Sequence, residues 1–290
     1  MLDKERYLNL DDYTQYIVGC EALLRRISLV YYLPFALKGS MLTRQFMPNP
    51  MERKVDDLDF FYMEKISEMH EADNIFTNWM SRSTILDLDD GFEFRNYKEI
   101  AQWDSIYYAM EEDFPTVSTE VEYTIPSIYN DNNFQVEVDV SFNLDINFEF
   151  VPLTYKPIFG DEFVIPYTVP LFAQIAWKLH QTIIRPRYKD LYDLKFLITH
   201  PSYKRYDANE TLMALANECS HDKSIKEEQK SINFAENKER ILKDIISKDF
   251  FWIDSKWQRI PEDNALQLIN DLVDVMQNAE LTNKNFKQYL

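Results

Sequence analysis

Two aspartates separated by a single residue, Asp57 and Asp59, have the clearest capacity for chemistry in this chain. They lie at the start of an apolar run, Leu58 to Tyr62, whose pattern predicts a buried strand. Side chains alternate between the two faces of a strand, so both carboxylates should point to the same side, about 7 Å apart. Carboxylate oxygens are preferred ligands of Mg²⁺, and the pair therefore indicates a divalent-metal site.

A Gly-Ser pair, Gly39-Ser40, precedes these aspartates and can form a tight turn at the start of a helix. Backbone N–H groups in such a turn bind phosphate. The whole chain has four glycines, where an average protein of this length has about 20. A glycine-rich dinucleotide loop or a P-loop is therefore excluded. Because glycine is so scarce, the position of Gly39 beside a serine and upstream of the paired aspartates is stronger evidence for a phosphate-binding turn. The turn and the paired carboxylates together suit a nucleoside triphosphate with its metal.

A third carboxylate is predicted from the most regular strand pattern, Phe134 to Phe142, in which apolar and polar residues alternate. Glu137 and Asp139 share its polar face. If this strand pairs beside the Asp57 strand, one of them completes a group of three carboxylates, which can hold two Mg²⁺ ions about 3.5–4 Å apart for phosphoryl transfer. Periodicity does not choose between Glu137 and Asp139. The alternative is a solvent-facing acidic residue on a half-buried sheet.

Cations that could bind a triphosphate occur further along the chain. Lys178 and Arg185 are spaced to share one face of a predicted helix, and Lys178 interrupts an otherwise apolar segment. A lysine at the edge of a buried face is the alternative. Asp190 and Asp193 fall in the first turn of the next predicted helix, where the helix dipole favours acidic residues in any case.

Composition narrows the class of protein. The chain has 290 residues, 46% hydrophobic content and a net charge of −18, enough for a sizeable core in one or two domains. Scattered histidines and two unpaired cysteines exclude a zinc cluster and fit a reducing cytoplasm. No long apolar stretch or N-terminal leader is visible, so we expect neither membrane spanning nor secretion. The acidic surface either is simply solvated or docks a basic partner protein.

The organisation of the chain predicts an α+β protein. Strand patterns dominate up to about residue 165 and helical patterns dominate after it, so we predict a mixed-sheet core over residues 1–165 and a helical domain over residues 166–290. Thr84 to Phe94 contains Asp89-Asp90-Gly91, which predicts a hairpin. The polar segment 222–240 predicts a solvated helix or loop.

The ordered motifs resemble the AbiEii/AbiGii toxin family of nucleotidyltransferases. They are Lys-Gly-Ser-x-Leu-x-Arg from Lys38, Arg-x-x-x-Asp-Leu-Asp-Phe from Arg53, Val-x-Val-Asp-Val from Val136, and Lys-Asp-Leu-Tyr-Asp-Leu from Lys189. The resemblance runs from about residue 35 to 198. It implies a nucleotidyltransferase core with mixed β-sheet, a helical C-terminal domain, and a bacterial toxin of a toxin–antitoxin or phage-defence system.

The resemblance also assigns roles to individual residues. Asp57, Asp59 and Asp139 would hold metal, Gly39 and Ser40 would hold phosphate, and Asp190 would be the acid of the last motif. Nucleotide contacts are expected from four cations: Lys178, Arg185, Arg44 and Arg53. Of these, Arg44 and Arg53 flank the first motif and would either brace it or bind phosphate.

The implied reaction is transfer of a nucleoside monophosphate from an NTP to an acceptor hydroxyl, with Mg²⁺ or Mn²⁺. The 3′ end of tRNA is one candidate acceptor, and a small molecule or a protein side chain is the alternative. A different alternative is that the chain is a non-catalytic nucleotide-binding partner protein. The acidic charge suits tRNA poorly, although Arg25-Arg26 or the arginines near Lys189 could form a basic patch. A cognate antitoxin and a cytoplasmic location are also expected. The spacer between Ser40 and Asp57 departs from the family by its length and two prolines.

Overall fold

The computed structural model describes residues 3–100, 116–128, 133–248, 250–253 and 256–290. The chain divides into two compact units. The first comprises Met1–Gln45 and Val55–Val169, and the second comprises Phe46–Lys54 and Pro170–Leu290. The sequence predicts a single boundary near residue 165. Segment Phe46–Lys54 joins the second unit because its side chains pair there; for example, the Tyr192 hydroxyl donates to Glu52 Oε2 at 2.9 Å.

The described residues of the first unit form five helices, and the longest begins at a capping residue. Asp11 caps the longest of them, because its Oδ1 accepts a hydrogen bond from the Thr14 backbone N–H at 2.9 Å. The helices are α1 (Lys4–Leu8), α2 (Asp12–Leu29), α3 (Gly39–Thr43), α4 (Met69–Thr84) and α5 (Tyr97–Ile100).

In the described residues of the first unit, seven strands form one mixed sheet in the order β3-β4-β5-β2-β1-β7-β6. The central strands β1 and β2 are antiparallel, while β2 and β5 are parallel. The predicted α+β class, with a mixed sheet flanked by helices, is confirmed. The strands are β1 (Phe35–Leu37), β2 (Leu58–Tyr62), β3 (Glu93–Phe94), β4 (Thr116–Thr124), β5 (Phe134–Ser141), β6 (Val151–Tyr155) and β7 (Phe163–Thr168).

The apolar face of this sheet packs on the helices through large aromatic side chains. Trp79 of α4 is buried, stacks on Phe35 with ring centroids 3.9 Å apart, and meets Phe60 edge-on at 4.9 Å. Each such side chain contributes about 1.5–3 kcal/mol on burial. Because strand residues alternate, burying Leu58 and Phe60 on this face turns Asp59 to the opposite face.

The predicted hairpin over Thr84–Phe94 is wrong. All of these residues are described, none before β3 forms a strand, and β3 pairs with β4. The turn does have the left-handed backbone expected of it, with φ of 51° at Asp89 and 93° at Gly91. The loop packs on α2 instead, because the buried Arg26 guanidinium donates two hydrogen bonds of 2.8 Å to the Asp90 carboxylate. Arg26 is therefore unavailable for a basic surface patch.

The second unit is helical with one small hairpin. Its core is built from buried leucines and isoleucines of several helices, including Leu179, Leu194 and Leu272. The polar segment 222–240 contains turns, a short 3-10 helix and the start of α9. The elements are α6 (Leu171–Ile184), α7 (Tyr188–Thr199), α8 (Asp207–His221), α9 (Lys238–Lys248), β8 (Phe250–Ile253), β9 (Lys256–Arg259), α10 (Glu262–Asn278) and α11 (Asn283–Phe286).

None of the described helices is both long enough and apolar enough to cross a membrane.

Candidate active site

The sheet brings three carboxylates together on its polar face. Asp57 immediately precedes β2, Asp59 is the second residue of β2, and parallel pairing places Asp139 of β5 directly beside Asp59. Each of the three offers a carboxylate oxygen within 4.8 Å of the others. Glu137, the alternative third acid, is exposed and lies outside this group. We call Asp57, Asp59 and Asp139 the carboxylate triad.

The electrostatics of the triad fit a bound cation. Burial, followed by repulsion from Asp59 and Asp139, raises the pKa of Asp57 to about 7. Burial also raises the pKa of Asp139, although a hydrogen bond from the Ser118 side chain opposes it. Oδ1 of Asp139 is buried without a hydrogen-bond partner among the described residues. A buried, unsatisfied oxygen within a crowded group of carboxylates is the environment that a divalent cation would relieve.

Lys38 is a residue of this site to which the sequence analysis gave no role. Its ammonium lies 3.2 Å from Asp59 Oδ1, and its backbone N–H donates to the Asp59 carbonyl at 2.9 Å. Because β1 and β2 are antiparallel, the end of β1 meets the start of β2, and the lysine reaches the triad. The sequence feature that could have indicated Lys38 as a site residue is its position directly before Gly39.

The Gly39-Ser40 turn lies against the same carboxylates. Gly39 has φ +69°, and a Cβ atom there would lie 1.8 Å from Asp59 Oδ2. Only glycine therefore permits both this backbone conformation and the close approach of the Asp59 side chain. The Ser40 hydroxyl oxygen is buried and has no hydrogen-bond partner among the described residues. The turn thus places an unsatisfied hydroxyl at the start of α3.

Arg44 is 1% exposed, so its guanidinium faces the interior. Its Nη1 lies 3.8 Å from Glu21 Oε1 and 3.9 Å from Met41 Sδ. Burial raises the pKa of Glu21 to about 7, and Arg44 opposes this rise. Of the two roles that the sequence left open for Arg44, these contacts support bracing of α3 and not phosphate binding.

A second group of charged residues lies within the second unit and centres on Asp193. The Lys178 ammonium is 2.6 Å from Asp193 Oδ2 and 3.8 Å from Asp190 Oδ1. Arg53 Nε donates to Asp193 Oδ1 at 2.7 Å. Burial would raise the pKa of Asp193, but Arg53 and Lys178 outweigh it and hold the pKa below its usual range. Arg53 is buried, so its contacts also support a bracing role.

Two arginines at the α6–α7 connection differ from the sequence expectation. Helix α6 ends at Ile184, and Arg185 has an extended backbone with φ −147°, so Arg185 leaves the helical face that it was expected to share with Lys178. Its exposed side chain forms no hydrogen bond or ion pair with the described residues. Arg187 instead approaches the motif acid, with Nε 2.5 Å from Asp190 Oδ2. Sequence spacing did not single out Arg187.

The fold and the triad together define the chain as having the architecture of a nucleotidyltransferase. A protein from H. pylori assigned as a nucleotidyltransferase is similar, with a TM-score of 0.53 and 16% identity over 97% of this chain and 99% of that chain. MenT4, a nucleotidyltransferase toxin from Mycobacterium tuberculosis H37Rv, is also similar, with a TM-score of 0.54 and 12% identity over 98% of this chain and 90% of that chain. At these identities the likeness establishes the fold.

The sequence model of the family described as nucleotidyl transferase AbiEii toxin, type IV toxin–antitoxin system, matches residues 22–274. The match spans most of the chain, and the chain belongs to the AbiEii family of nucleotidyltransferase toxins. The family resemblance drawn from the sequence is confirmed, and the match continues well past the last recognisable motif near residue 198. No curated protein matches the chain.

The free energy of unfolding of the metal-free protein should fall as the pH rises from about 4 to about 7. Unfolded Asp57 loses its proton near pH 3.9, whereas the folded residue keeps it up to about pH 7. The folded state therefore binds more protons in this range, and raising the pH favours unfolding by on the order of 2 kcal/mol after allowance for solvent screening. Circular dichroism melts across this range, without divalent ions, would measure the fall.

Adding Mg²⁺ should reverse this loss, since a cation at the triad would bind the deprotonated carboxylates. The rise in thermal midpoint caused by Mg²⁺ should thus be larger at about pH 8 than at about pH 5.5. An equal rise at both pH values would contradict binding to the triad.

Proposed function

We propose that the protein transfers a nucleoside monophosphate from an NTP to an acceptor hydroxyl, releasing pyrophosphate, in a reaction that requires Mg²⁺ or Mn²⁺. One observation carries this proposal: three carboxylate oxygens of the triad lie within 4.8 Å of one another in a chain of a nucleotidyltransferase family. An in-line displacement at phosphorus needs little from the protein beyond positioning and charge stabilisation, which a divalent cation held by the triad would supply.

Asp57, Asp59 and Asp139 would hold the metal. A divalent cation bound there would neutralise triphosphate charge and lower the pKa of the attacking hydroxyl. Strand pairing would keep two of these metal ligands at a fixed separation, because Asp59 and Asp139 are paired residues of adjacent strands. Lys38 balances part of the carboxylate charge through Asp59.

The triphosphate would be bound at the Gly39-Ser40 turn, where the Ser40 hydroxyl is buried without a partner among the described residues. Such a hydroxyl can donate to a phosphate oxygen. Lys178 and Asp190 stay predicted nucleotide-site residues of the second unit. Their local environment supports a charged role, since Lys178 lies 3.8 Å from Asp190. Arg185, exposed at the end of α6, stays a predicted nucleotide contact.

The acceptor is proposed to be an RNA end, with the 3′ end of tRNA as the first candidate. The net charge of −18 favours a second candidate, a small molecule or a protein side chain, since an acidic surface repels nucleic acid. A third possibility is a protein that binds NTP without turnover. As a toxin, the protein would act in the cytoplasm, with a cognate antitoxin and a role in phage defence.

Each of the four NTPs, labelled at the α-phosphate, should be incubated with the protein, Mg²⁺, bulk tRNA and cell protein. Label in tRNA supports the first acceptor. Label in protein but never in RNA would exclude it and support the second. NTP binding without pyrophosphate release would contradict the proposed enzyme. A reaction containing chelator in place of Mg²⁺ is the matched blank for metal dependence.

A further inference from the structure

The backbone segment directly before Asp57 is held by side chains of α2 and not by pairing within the sheet. The pairing of β2 with β5 begins at Leu58, so the backbone of Asp57 and of the residues before it lies outside the hydrogen-bonded ladder. Asp57 nevertheless sits among carboxylates of like charge, which repel it. Its position therefore depends on contacts elsewhere in the first unit.

Tyr16 supplies one such contact. Its hydroxyl donates a hydrogen bond of 2.5 Å to the backbone carbonyl of Asp56, the residue directly before Asp57. Tyr16 belongs to α2, so this hydroxyl joins that helix to the chain that enters Asp57.

Tyr13 supplies a second contact from the same helix. Its hydroxyl oxygen accepts a hydrogen bond of 2.8 Å from the backbone N–H of Val55. Residues three apart in a helix share a face, so Tyr13 and Tyr16 both project toward the segment Val55–Asp56. Together they hold the carbonyl and the N–H of two successive residues that no strand pairing fixes.

We propose that Tyr16, assisted by Tyr13, is a positioning residue that sets the separation of Asp57 from Asp139 and thereby the affinity of the carboxylate triad for its metal. This inference rests on the proposed function, which requires a metal at the triad. Tyr16 touches neither substrate nor metal in this scheme. Its effect passes through the backbone of Asp56.

The test is Tyr16→Phe, which keeps the aromatic ring in place and removes only the hydroxyl. Binding of Mn²⁺ alone should be measured by electron paramagnetic resonance, with kcat and the KM for NTP measured separately. Loss of a hydrogen bond of this kind should weaken Mn²⁺ binding about five- to ten-fold. We expect a similar fall in kcat at saturating NTP and low Mg²⁺, relieved by raising the Mg²⁺ concentration. Tyr13→Phe should act in the same direction but more weakly.

The matched control is Tyr62→Phe. Tyr62 is the last residue of β2, and its hydroxyl donates to Glu64 Oε2 at 3.0 Å, at the other end of the strand from Asp57. The two variants lose the same group and one hydrogen bond each. If Mn²⁺ affinity were unchanged in Tyr16→Phe, or fell equally in Tyr62→Phe, the inference would be overturned. Failure of the unsubstituted protein to bind Mn²⁺ would instead overturn the proposed function, and the inference with it.

Discussion

Asp57→Asn should reduce nucleotide transfer by about three orders of magnitude or more, because the metal that we propose for the triad would contribute several kcal/mol to transition-state stabilisation. Asparagine keeps the size of the side chain but loses the charge that binds the cation. Mn²⁺ binding should fall with the activity. Expression of the variant in cells should no longer arrest growth, if growth arrest by the toxin depends on this transfer.

The same substitution should stabilise the metal-free protein. Burial and repulsion from Asp59 and Asp139 raise the pKa of Asp57 to about 7, so the ionised form is disfavoured in the folded state. A neutral amide removes this penalty, so the gain in thermal midpoint without divalent ions should grow as the pH rises from about 4 and should be complete above about pH 7. Loss of activity together with gain of stability would separate a functional residue from a structural one.

Asp56→Asn is the matched control, since it makes the same chemical change one residue away. The side chain of Asp56 is exposed and lies outside the carboxylate triad. We expect activity within a few-fold of the unsubstituted protein and little change in metal affinity. Full activity and toxicity of Asp57→Asn would show that the triad does not carry the reaction.

Asp193→Asn should lower the free energy of unfolding of the second unit by about 3–5 kcal/mol, the usual cost of breaking a buried ion pair. The Asp193 carboxylate is fully buried and pairs with Arg53 at 2.7 Å and with Lys178 at 2.6 Å. In the variant the buried Arg53 would lose its ion pair with this carboxylate, and Lys178 would keep only the longer 3.8 Å contact with Asp190. Urea unfolding followed by tryptophan fluorescence would measure the loss.

The pH dependence of this contribution has the opposite sign to that of Asp57. The pKa of Asp193 is held below its usual range by Arg53 and Lys178, against the effect of burial. The unfolded state therefore binds more protons as the pH falls through about 4. The stabilisation is fully present above that pH and is lost as the pH falls through the lower pKa of the folded state.

Asp271→Asn provides the comparison within the same unit. Asp271 pairs with Lys195 at 2.6 Å, but the two side chains are 31% and 33% exposed. An exposed pair contributes only about 0–1 kcal/mol, so this variant should be close to the unsubstituted protein. Equal losses in the two variants would mean that burial does not determine the strength of the Asp193 pairs.

The pattern of apolar residues predicted β2, which directly follows Asp57 and carries Asp59, and also the strand of Asp139, where apolar and polar residues alternate regularly. The pattern also predicted the helix of Lys178, which is α6, from residues at helical spacing. It did not distinguish Asp139 from Glu137, since both lie on one face of β5. The distinction depends on strand register: parallel pairing puts Asp139 beside Asp59.

A prediction from local composition was wrong where a tertiary contact determined the local structure. Asp89-Asp90-Gly91 has the composition of a hairpin turn, yet the buried guanidinium of Arg26 holds Asp90 and packs the loop on α2. For Arg44 and Arg53 the sequence left two roles open, binding of phosphate or bracing of the first motif. Their burial beside Glu21 and Asp193 supports the second role.

The sequence by itself determined the family, the α+β class and the residue types of the site, because these depend on motif order and on periodicity along the chain. Only the tertiary structure decided which acid completes the triad, that Lys38 reaches it, and that Tyr16 holds the chain before Asp57. These features depend on contacts between residues far apart in the sequence. Strand register and helix packing determine such contacts, and local pattern carries no record of either.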